Sequence, residues 1–420
     1  MASKQREVIA VDDHVAPGRA IPLGIQHMMS MFGATVLVPT LTGLSPSVAI
    51  MCSGIGTMCY LLVTRNKIPS YLGSSFAFIS PIIAVAATTG SLNAVMSGVV
   101  VSGVVFLLTA LLIKIIGTAW LDRVLPPVLV ASVMIVIGVG LSATAVKMAL
   151  YSSTDSFVAL GAVAAAVTLV AAVIFSSMGG LFGTMPVLLA IIVGYIFSCF
   201  IKLVDFKPVL DAAWLGLPTF THPSFDWGAI VLIAPVAVVV VIEHIGHLLA
   251  VGEIVGRDYR EMLPQSLAGD GIATVISGFL GGPPTTTYAE NIGVMSVTRV
   301  YATQVFWYAA AFALVVGGFC PKLAALISSI PTPVMGGVSL LLFGLIASNG
   351  LHMLVTNKVD FDDNRNLMIA SVVIILGVGM ETSGITIPMG NYTLPGMATS
   401  ALVGILLNLI LPHSSSSQKE

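Results

Sequence analysis

Long apolar segments dominate this chain and limit what it can fold into. Runs of roughly 17 to 25 apolar residues, each long enough to cross a bilayer as a helix, recur from about Ile21 to about Leu411. Only 9% of the residues are charged and the mean hydropathy is +1.02, whereas a soluble domain carries about 25% charged residues. We therefore expect an all-α polytopic membrane protein that has no soluble domain.

About fourteen spans are predicted. They lie near 22–42, 46–64, 74–90, 92–116, 126–148, 156–176, 181–202, 228–250, 264–281, 286–298, 300–320, 332–349, 366–381 and 394–411. If the N-terminus is cytoplasmic, thirteen Lys and Arg residues fall in inside loops and four in outside loops. Because cytoplasmic loops carry this excess, both termini are expected inside the cell, in a multi-pass protein of the cytoplasmic membrane. The first 22 residues lack the features of a secretory signal.

Three pairs of segments recur in the same order in the two halves of the chain. "QHMMSMFGATVLVP" from Gln26 resembles "EHIGHLLAVGEIVG" from Glu243, and "LPPVLVASVMIVIGVGLSA" resembles "IPTPVMGGVSLLLFGLIAS". Two interrupted segments, "IPSYLGSSFAFISPII" and "GGPPTTTYAENIGV", occupy corresponding places. Seven spans per half is an odd number, so the second half enters the membrane from the opposite side. This predicts inverted repeats, an architecture typical of transporters.

The interrupted segments predict where a ligand binds. "GGPPTTTY" cannot continue a helix because its prolines lack donors, so an extended chain is expected there and, more weakly, a short strand in "GSSFAF". Non-helical backbone at membrane depth is tolerated only inside protein or along a cavity. Its N–H groups, and the positive ends of the half-helices that follow, can donate to carbonyl oxygens of a substrate. The alternative is that both segments are extramembrane loops.

Acids within apolar spans are the second indication of a site. In "VVVVIEHIGHLLAVG", residues 238–252, Glu243 and His247 share a helix face, while His244 points about 100° away. Glu290 follows the second interrupted segment. Intramembrane carboxyls normally face a substrate or proton path. Two such groups beside main-chain donors suit a neutral ligand with adjacent N–H and C=O groups, and burial together with a nearby histidine makes proton exchange near neutral pH plausible.

Other functions would also account for some of these residues. Glu243 and His247 could simply tie two helices together, or form a transition-metal site with Glu290. The order E-H-x-x-H differs from the H-E-x-x-H motif of metalloproteases, and without a phosphate-binding G-x-x-x-x-G-K-[ST] motif, transport must be driven by a gradient. The four cysteines lie in apolar runs without a C-x-x-C pair, and no basic stripe suggests nucleic acid. We expect neither a cofactor nor an enzymatic activity.

The same residues resemble the nucleobase/ascorbate transporter family, in particular its bacterial uracil permease branch. The resemblance covers nearly the whole chain, including "KIPSYLGSSFAFISPI", "EHIGHL" and "TTYAENIGVMSVTRVYAT". The family signature, an N-x-G-x-x-x-x-T-R string after an acidic or amide residue, reads here as "ENIGVMSVTR". It implies two inverted repeats of seven spans, with short antiparallel strands in spans 3 and 10.

The resemblance also implies a core domain of spans 1–4 and 8–11 and a gate domain of spans 5–7 and 12–14. The corresponding ranges are a cytoplasmic segment 1–20, core 21–120, gate 121–227, core 228–325, gate 326–412 and a cytoplasmic tail 413–420.

Site residues are carried over from the family position by position. Glu243 and Glu290 would accept from the N–H groups of a base, the main chain at Phe76 and Ala289 would donate to its carbonyls, His247 lies beside Glu243, and Tyr288 would enclose the base. Glu243, His247 and Glu290 are the expected proton-coupling residues. Gln26, His27 and Asn291 are expected either to support the site or simply to bond helix to helix.

One position departs from the family. Ala289 stands where glycine is common in the family, which is compatible with donation only if its dihedral angles are not restricted to glycine.

The expected function is import of a nucleobase, most simply uracil, by proton symport through alternating access. The alternatives are a proton-coupled purine (xanthine or urate) transporter and an anion exchanger or channel on the same fold. The expected partners are the base, a proton and membrane lipid. A homodimer is left open, and nucleic acid is not expected.

Overall fold

The computed structural model describes residues 8–151, 156–390 and 392–412, and these residues form twenty α-helices and four short strands. Residues 1–7 and the predicted tail 413–420 lie outside them. The helices of the first half are α1 Pro17–Thr42, α2 Pro46–Val63, α3 Ile79–Thr89, α4 Leu92–Ile116, α5 Ala119–Val124, α6 Pro127–Gly140, α7 Ser142–Leu150, α8 Ala159–Ser177, α9 Gly180–Gly183, α10 Pro186–Phe200 and α11 Lys207–Asp211.

The second half has a similar series of elements. Its helices are α12 Trp227–Ile233, α13 Val236–Val255, α14 Leu263–Leu280, α15 Ala289–Thr298, α16 Thr303–Phe319, α17 Pro321–Ser328, α18 Thr332–Thr356, α19 Asn364–Ser383 and α20 Gly396–Ile410. The strands of the whole chain are β1 Leu72–Ser74, β2 Thr285–Thr287, β3 Ile387–Met389 and β4 Tyr392–Leu394.

The predicted spans correspond in order to these elements. Among the described residues, eight continuous or slightly bent helices are long and apolar enough to cross a membrane, two of them being α6 with α7 and α12 with α13. The other six predicted spans are shorter, interrupted or less apolar, and they contain α3, α10, α14, α15, α16 and α20. At Cys320 the chain bends by 83° between α16 and α17. The protein is therefore a multi-pass membrane protein.

The helices pack in two groups. In the first group, α4 packs against α14, α2 against α14 and α16, and α1 against α16. In the second group, α18 packs against α6, α7 and α8, α10 packs against α8, and α19 packs against α6 and α20. Contacts between the groups are fewer, the most extensive being that of α1 with α10. Each group contains helices from both halves of the chain.

The interrupted spans meet as an antiparallel strand pair inside the first group. Leu72 pairs with Thr287 and Ser74 with Thr285. Both strands are fully buried. Antiparallel pairing of strands from spans 3 and 10 is thus confirmed. The extended chain expected in "GSSFAF" is wrong for its second part, because Ser75 N–H makes a last bond to Pro284 O and Phe76–Phe78 then turn into a 3₁₀ helix that leads into α3.

The N-terminal segment identifies one face of the bundle. Ile9 N–H donates to Arg299 O, just after α15, and Arg257, just after α13, donates to Asp12 at 2.7 Å. Helices α13 and α15 therefore both run towards the face where α1 begins, which we call the N-terminal face.

A second antiparallel pair, β3 with β4, precedes α20 and was not anticipated from the sequence. Its first strand is exposed.

Glycines allow a close helix contact in the first group. A Cβ at Gly103 in α4 would lie 2.7 Å from Val275 N and 2.8 Å from Gly271 O in α14. A Cβ at Gly271 would in turn lie 3.0 Å from Gly103 O. Small residues let backbones approach in this way, which is the usual basis of helix association in membranes. The α4–α14 contact therefore excludes side chains at these positions.

Replacing Gly103 by valine should separate α4 from α14 and destabilise the protein by about 1–3 kcal/mol, the usual cost of overpacking. The melting temperature of the purified protein in detergent is the measurement, and it should fall. Gly379→Val is the matched control, since a Cβ at Gly379 meets no atom within 4 Å. Equal melting temperatures for the two variants would contradict the packing argument.

Candidate functional site

Two short helices begin next to each other at the strand pair, and neither has a side-chain cap. The 3₁₀ turn that leads into α3 follows Ser75, and α15 follows Tyr288; neither residue caps its helix with a side-chain hydrogen bond. The Ser75 hydroxyl is buried without a partner. Because the first N–H groups of a helix have no intrahelical acceptor, the amides of Phe76 and Ala289 are available as donors. The partial positive charge of both helix ends is concentrated here.

Hydroxyl groups fix the strand pair that carries these helix ends. Leu72 N–H donates to Thr57 Oγ1 at 2.9 Å, and Ser53 Oγ donates to Leu72 O at 2.5 Å. Thr274 Oγ1 donates to Thr285 O at 3.0 Å. Extended backbone at membrane depth requires such internal partners, since lipid offers none. The position of the two helix ends is consequently rigid.

Tyr288 joins the two strands from the side. Its hydroxyl donates to Ser74 O, and its ring occupies the space where a side chain at position 73 would be, because a Cβ at Gly73 would lie 2.2 Å from Tyr288 Cε2. Only glycine fits at position 73. The tyrosine is buried and supports the start of α15.

The two predicted acids lie on neighbouring helices. Glu243 is in the middle of α13, Glu290 is in the first turn of α15, and the two helices pack against each other. Asp270 lies on α14, which also packs against α13. Both glutamates are partly exposed. Neither side chain hydrogen-bonds to another side chain within the part of the chain described, so both remain free to accept bonds from a ligand.

His247 and Phe76 complete the surroundings of the acids. His247 Nδ1 lies 3.2 Å from Thr287 Oγ1, which connects α13 to the end of β2. No bond between Glu243 and His247 occurs among the described residues. The Phe76 ring meets Phe343 of α18 edge-on, with centroids 6.3 Å apart. One wall of the candidate site is therefore contributed by the second helix group.

A buried network behind the site was missed by sequence reasoning. His244 Nδ1 lies 2.8 Å from Asp270 Oδ2, and both side chains are fully buried. Thr286 Oγ1 donates to the same Asp270 oxygen at 2.8 Å, and His244 Nε2 lies 2.8 Å from Ser266 Oγ. Ser266 Oγ is in turn 2.6 Å from Tyr60 Oη. The detectable signal was a lone aspartate in the ninth predicted span, because a buried charge requires a partner.

The three predicted supporting residues have different partners. Asn291 Nδ2 donates to His27 O at 3.0 Å, and the His27 ring packs against Phe306 at 4.5 Å. These two residues bond α15 to α1. Gln26 Nε2 instead donates to Thr184 Oγ1 at 3.0 Å, in the second helix group.

The backbone conformation of Ala289 shows that alanine fits where glycine is common in the family. Ala289 is the first residue of α15 and, within the described chain, is absent from the non-glycine residues with positive φ. Alanine therefore adopts this conformation without strain, and its N–H can point out of the helix end.

The described His, Cys, Asp and Glu residues include no group of three that could hold a metal ion. The four cysteines are free thiols.

The sequence matches proteins of known families over almost its whole length. A model described as "Permease family" matches residues 18–385. The chain belongs to this family, the nucleobase/ascorbate transporters. The chain is 46% identical to the uracil permease of Bacillus subtilis (strain 168), over all of this chain and 98% of that one. It is 48% identical to the uracil permease of Bacillus caldolyticus, over 97% and 95% of the two chains. The family members are permeases, so this chain is a transporter and no enzyme.

Solved structures of much lower identity share the fold. The transmembrane domain of the cyanobacterial bicarbonate transporter BicA matches with a TM-score of 0.67 at 14% identity, over 96% of this permease and all of that chain. The structure of SLC26A9 matches with a TM-score of 0.71 at 11% identity, over 93% and 65% of the chains. At such identities the similarity concerns the fold alone, and it confirms the predicted inverted-repeat architecture.

The His244–Asp270 pair should be essential for stability. Since removing one partner of a buried pair strands the other, His244→Ala should destabilise this permease by about 3–5 kcal/mol. Asp270→Asn should destabilise the permease less than His244→Ala, because the asparagine side chain can still accept the hydrogen bond from Thr286. Melting temperatures of purified variants test this, with His352→Ala as the control at an exposed histidine. Asp270→Ala completes the cycle, and a double variant His244→Ala/Asp270→Ala whose loss of stability equals or exceeds the sum of the two single losses would contradict direct coupling.

Proposed function

We propose that this permease imports uracil across the cytoplasmic membrane by proton symport, with both termini in the cytoplasm. The proposal rests mainly on one observation: two partly exposed carboxyls face a junction where two uncapped helix ends offer main-chain N–H donors. Several relatives over 40% identical along nearly the whole chain are uracil permeases, including one from Escherichia coli (strain K12) at 42%. Their substrate and the chemistry of this site agree.

Uracil recognition follows from complementary groups. The base presents two N–H groups and two carbonyl oxygens around one ring. Glu243 and Glu290 accept from the N–H groups, and the amides of Phe76 and Ala289 donate to the carbonyls. A ligand lacking an N–H leaves a carboxyl unpaired, at a cost of about 1–3 kcal/mol. The Phe76 ring lies against the base, and Tyr288 supports the pocket from behind.

Alternating access is assigned to movement between the two helix groups. The first group corresponds to the core domain and carries the acids, the strands and both helix ends. The second group corresponds to the gate domain and contributes Phe343. Because relatively few contacts join the groups, the core can move as a rigid body that carries the base. The rigid strand pair keeps donors and acceptors in register during this movement.

Proton coupling is assigned to Glu243, His247 and Glu290. Two carboxyls on helices that pack together at low local dielectric resist being charged together, so proton binding lowers the cost of closing the site. Inward movement of one positive charge across 100 mV contributes about 2.3 kcal/mol to accumulation. His247, bonded to Thr287, links protonation at α13 to the strand pair.

Two other transport functions are distinguished by simple assays. A purine transporter of this family would be inhibited more strongly by xanthine than by uracil. The fold is shared with proteins titled a bicarbonate transporter and an anion transporter, but a site with two acids disfavours an anion. Chloride or sulfate flux that survives Glu290→Gln would support an anion exchanger.

Substitutions of Glu243 and of Glu290 should have different effects on uracil uptake and uracil binding. Glu290→Ala should weaken uracil binding roughly ten- to a hundredfold, because a charged acceptor is lost. Glu243→Gln should abolish uptake driven by an imposed pH gradient in vesicles, since the amide cannot carry the proton. Labelled-uracil uptake and equilibrium binding to purified protein are the measurements. Glu261→Gln, at an exposed acid, is the control. Wild-type uptake in either site variant, or uptake insensitive to a protonophore, would contradict the mechanism.

Main-chain donation by Ala289 can be tested with proline. Proline is well tolerated at the first position of a helix, and Tyr288 has φ −116° and ψ 134°, which suits the residue before proline. Ala289→Pro should therefore fold but lose its N–H, and weaken uracil binding about three- to tenfold. Ala289→Ser retains the N–H and is the control. Unchanged affinity in a folded proline variant would exclude this donor.

A further inference from the structure

Two glycines occupy equivalent positions beside the two acids. Gly246 follows Glu243 by three residues, and Gly293 follows Glu290 by three, in the strings "EHIG" and "ENIG". On a helix this places each glycine about 4.5 Å further along and on a neighbouring part of the same face. Because α13 and α15 both end at the N-terminal face, each glycine lies between its acid and that face.

Neither glycine is required for close packing. A Cβ added at Gly246 or Gly293 would meet no atom within 4 Å, and both residues are exposed. Most other glycines inside the described helices abut a neighbouring segment, as Gly103 and Gly271 do. Glycine is a poor helix former compared with alanine. Its presence at two open positions therefore needs a reason other than helix packing.

Both polar and apolar side chains are exposed beside these glycines. In α15 the exposed surface next to Gly293 includes Ser296 and Val297, and in α13 the surface next to Gly246 continues through Leu249 to Glu253. In α18, two turns or less beyond Phe343, Ser348 and Asn349 are exposed as well. Polar groups and partly exposed carboxyls within membrane spans face water or protein, because contact with hydrocarbon is costly.

We propose that Gly246 and Gly293 form a gap through which the base passes between the acids and the N-terminal face, and that their missing side chains set the largest base that can pass. This inference rests on the proposed function. It assigns a size limit to the passage, whereas the hydrogen bonds at Glu243, Glu290, Phe76 and Ala289 determine which base binds.

The proposed gap predicts that uptake becomes slower as the side chain added at either glycine becomes larger. Gly246→Ala and Gly293→Ala should each slow uracil uptake about threefold and the valine variants about tenfold or more, because each added methyl group narrows the gap. The loss should be larger for 5-bromouracil than for uracil. Equilibrium binding of uracil to purified protein should stay within about twofold of wild type, since the acids and amides are unchanged. Gly379→Ala and Gly379→Val, at an open glycine in α19, are the controls.

A second measurement does not depend on the identity of the substrate. In a protein whose four cysteines are replaced by serine, a cysteine introduced by Ala289→Cys is labelled with a small methanethiosulfonate or a bulky maleimide. Gly246→Val and Gly293→Val should slow the bulky reagent far more than the small one. If uracil is not transported but labelling shows this size dependence, the gap is supported and the proposed function fails.

The opposite results would overturn the gap. Valine variants that transport at wild-type rates and label normally with both reagents would exclude it. Equal slowing by alanine and valine, for small and large bases alike and without a change in labelling, would mean that the glycines act through helix flexibility and not through clearance.

Discussion

Backbone hydrogen bonding in the absence of water is the constraint on which this structure depends. Two segments of the chain leave the helical conformation at membrane depth, and lipid cannot satisfy the amides that are released. The chain solves this by pairing the segments with each other in three antiparallel positions and by hydrogen bonds to hydroxyl groups, with Ser53 and Thr274 donating to strand carbonyls and Thr57 accepting from Leu72 N–H. The first amides of the two helices that follow the strands have neither an intrahelical acceptor nor a side-chain cap. The unsatisfied groups are thereby concentrated at one place, next to the acids.

This arrangement explains why binding groups come from both halves of the chain. A strand pair needs one segment from each half, and inverted repeats bring the two segments together antiparallel. The acid at position 290 directly follows the second strand, whereas the corresponding helix after the first strand begins with Phe76 and Ala77. The site is consequently asymmetric, with an acid on one side and an aromatic ring on the other. An asymmetric base such as uracil can be held in one orientation by such a pocket.

Sequence reasoning predicted the fourteen spans, the two strands and the neighbourhood of Glu243 and Glu290, because each has a local signal. Apolar runs predict membrane spans, paired prolines predict an interruption of a helix, and an acid within an apolar run indicates a buried polar site. Sequence reasoning failed where the partner of a side chain is distant in the chain. Periodicity showed that His244 points away from Glu243, but only the fold reveals that it points to Asp270, 26 residues later in the chain. Gln26 and His27 are adjacent in sequence, yet one bonds to the second helix group and the other to α15.

The buried network also bears on how proton coupling can be confined to the front of the site. His244 and His247 are three positions apart on α13, and Thr287 lies near both: its hydroxyl is 3.2 Å from His247 Nδ1 and 3.5 Å from His244 Nδ1. The side chains of His244 and Asp270 have no exposed surface. Glu243 and Glu290, in contrast, are partly exposed. If transport is coupled to protons as proposed, a proton that arrives with the base meets Glu243, Glu290 or His247 first, while Asp270, paired with His244, holds strand β2 through Thr286. On this view, helix α13 carries both the proposed proton-coupling residues Glu243 and His247 and the structural residue His244, because its two faces differ in access to water.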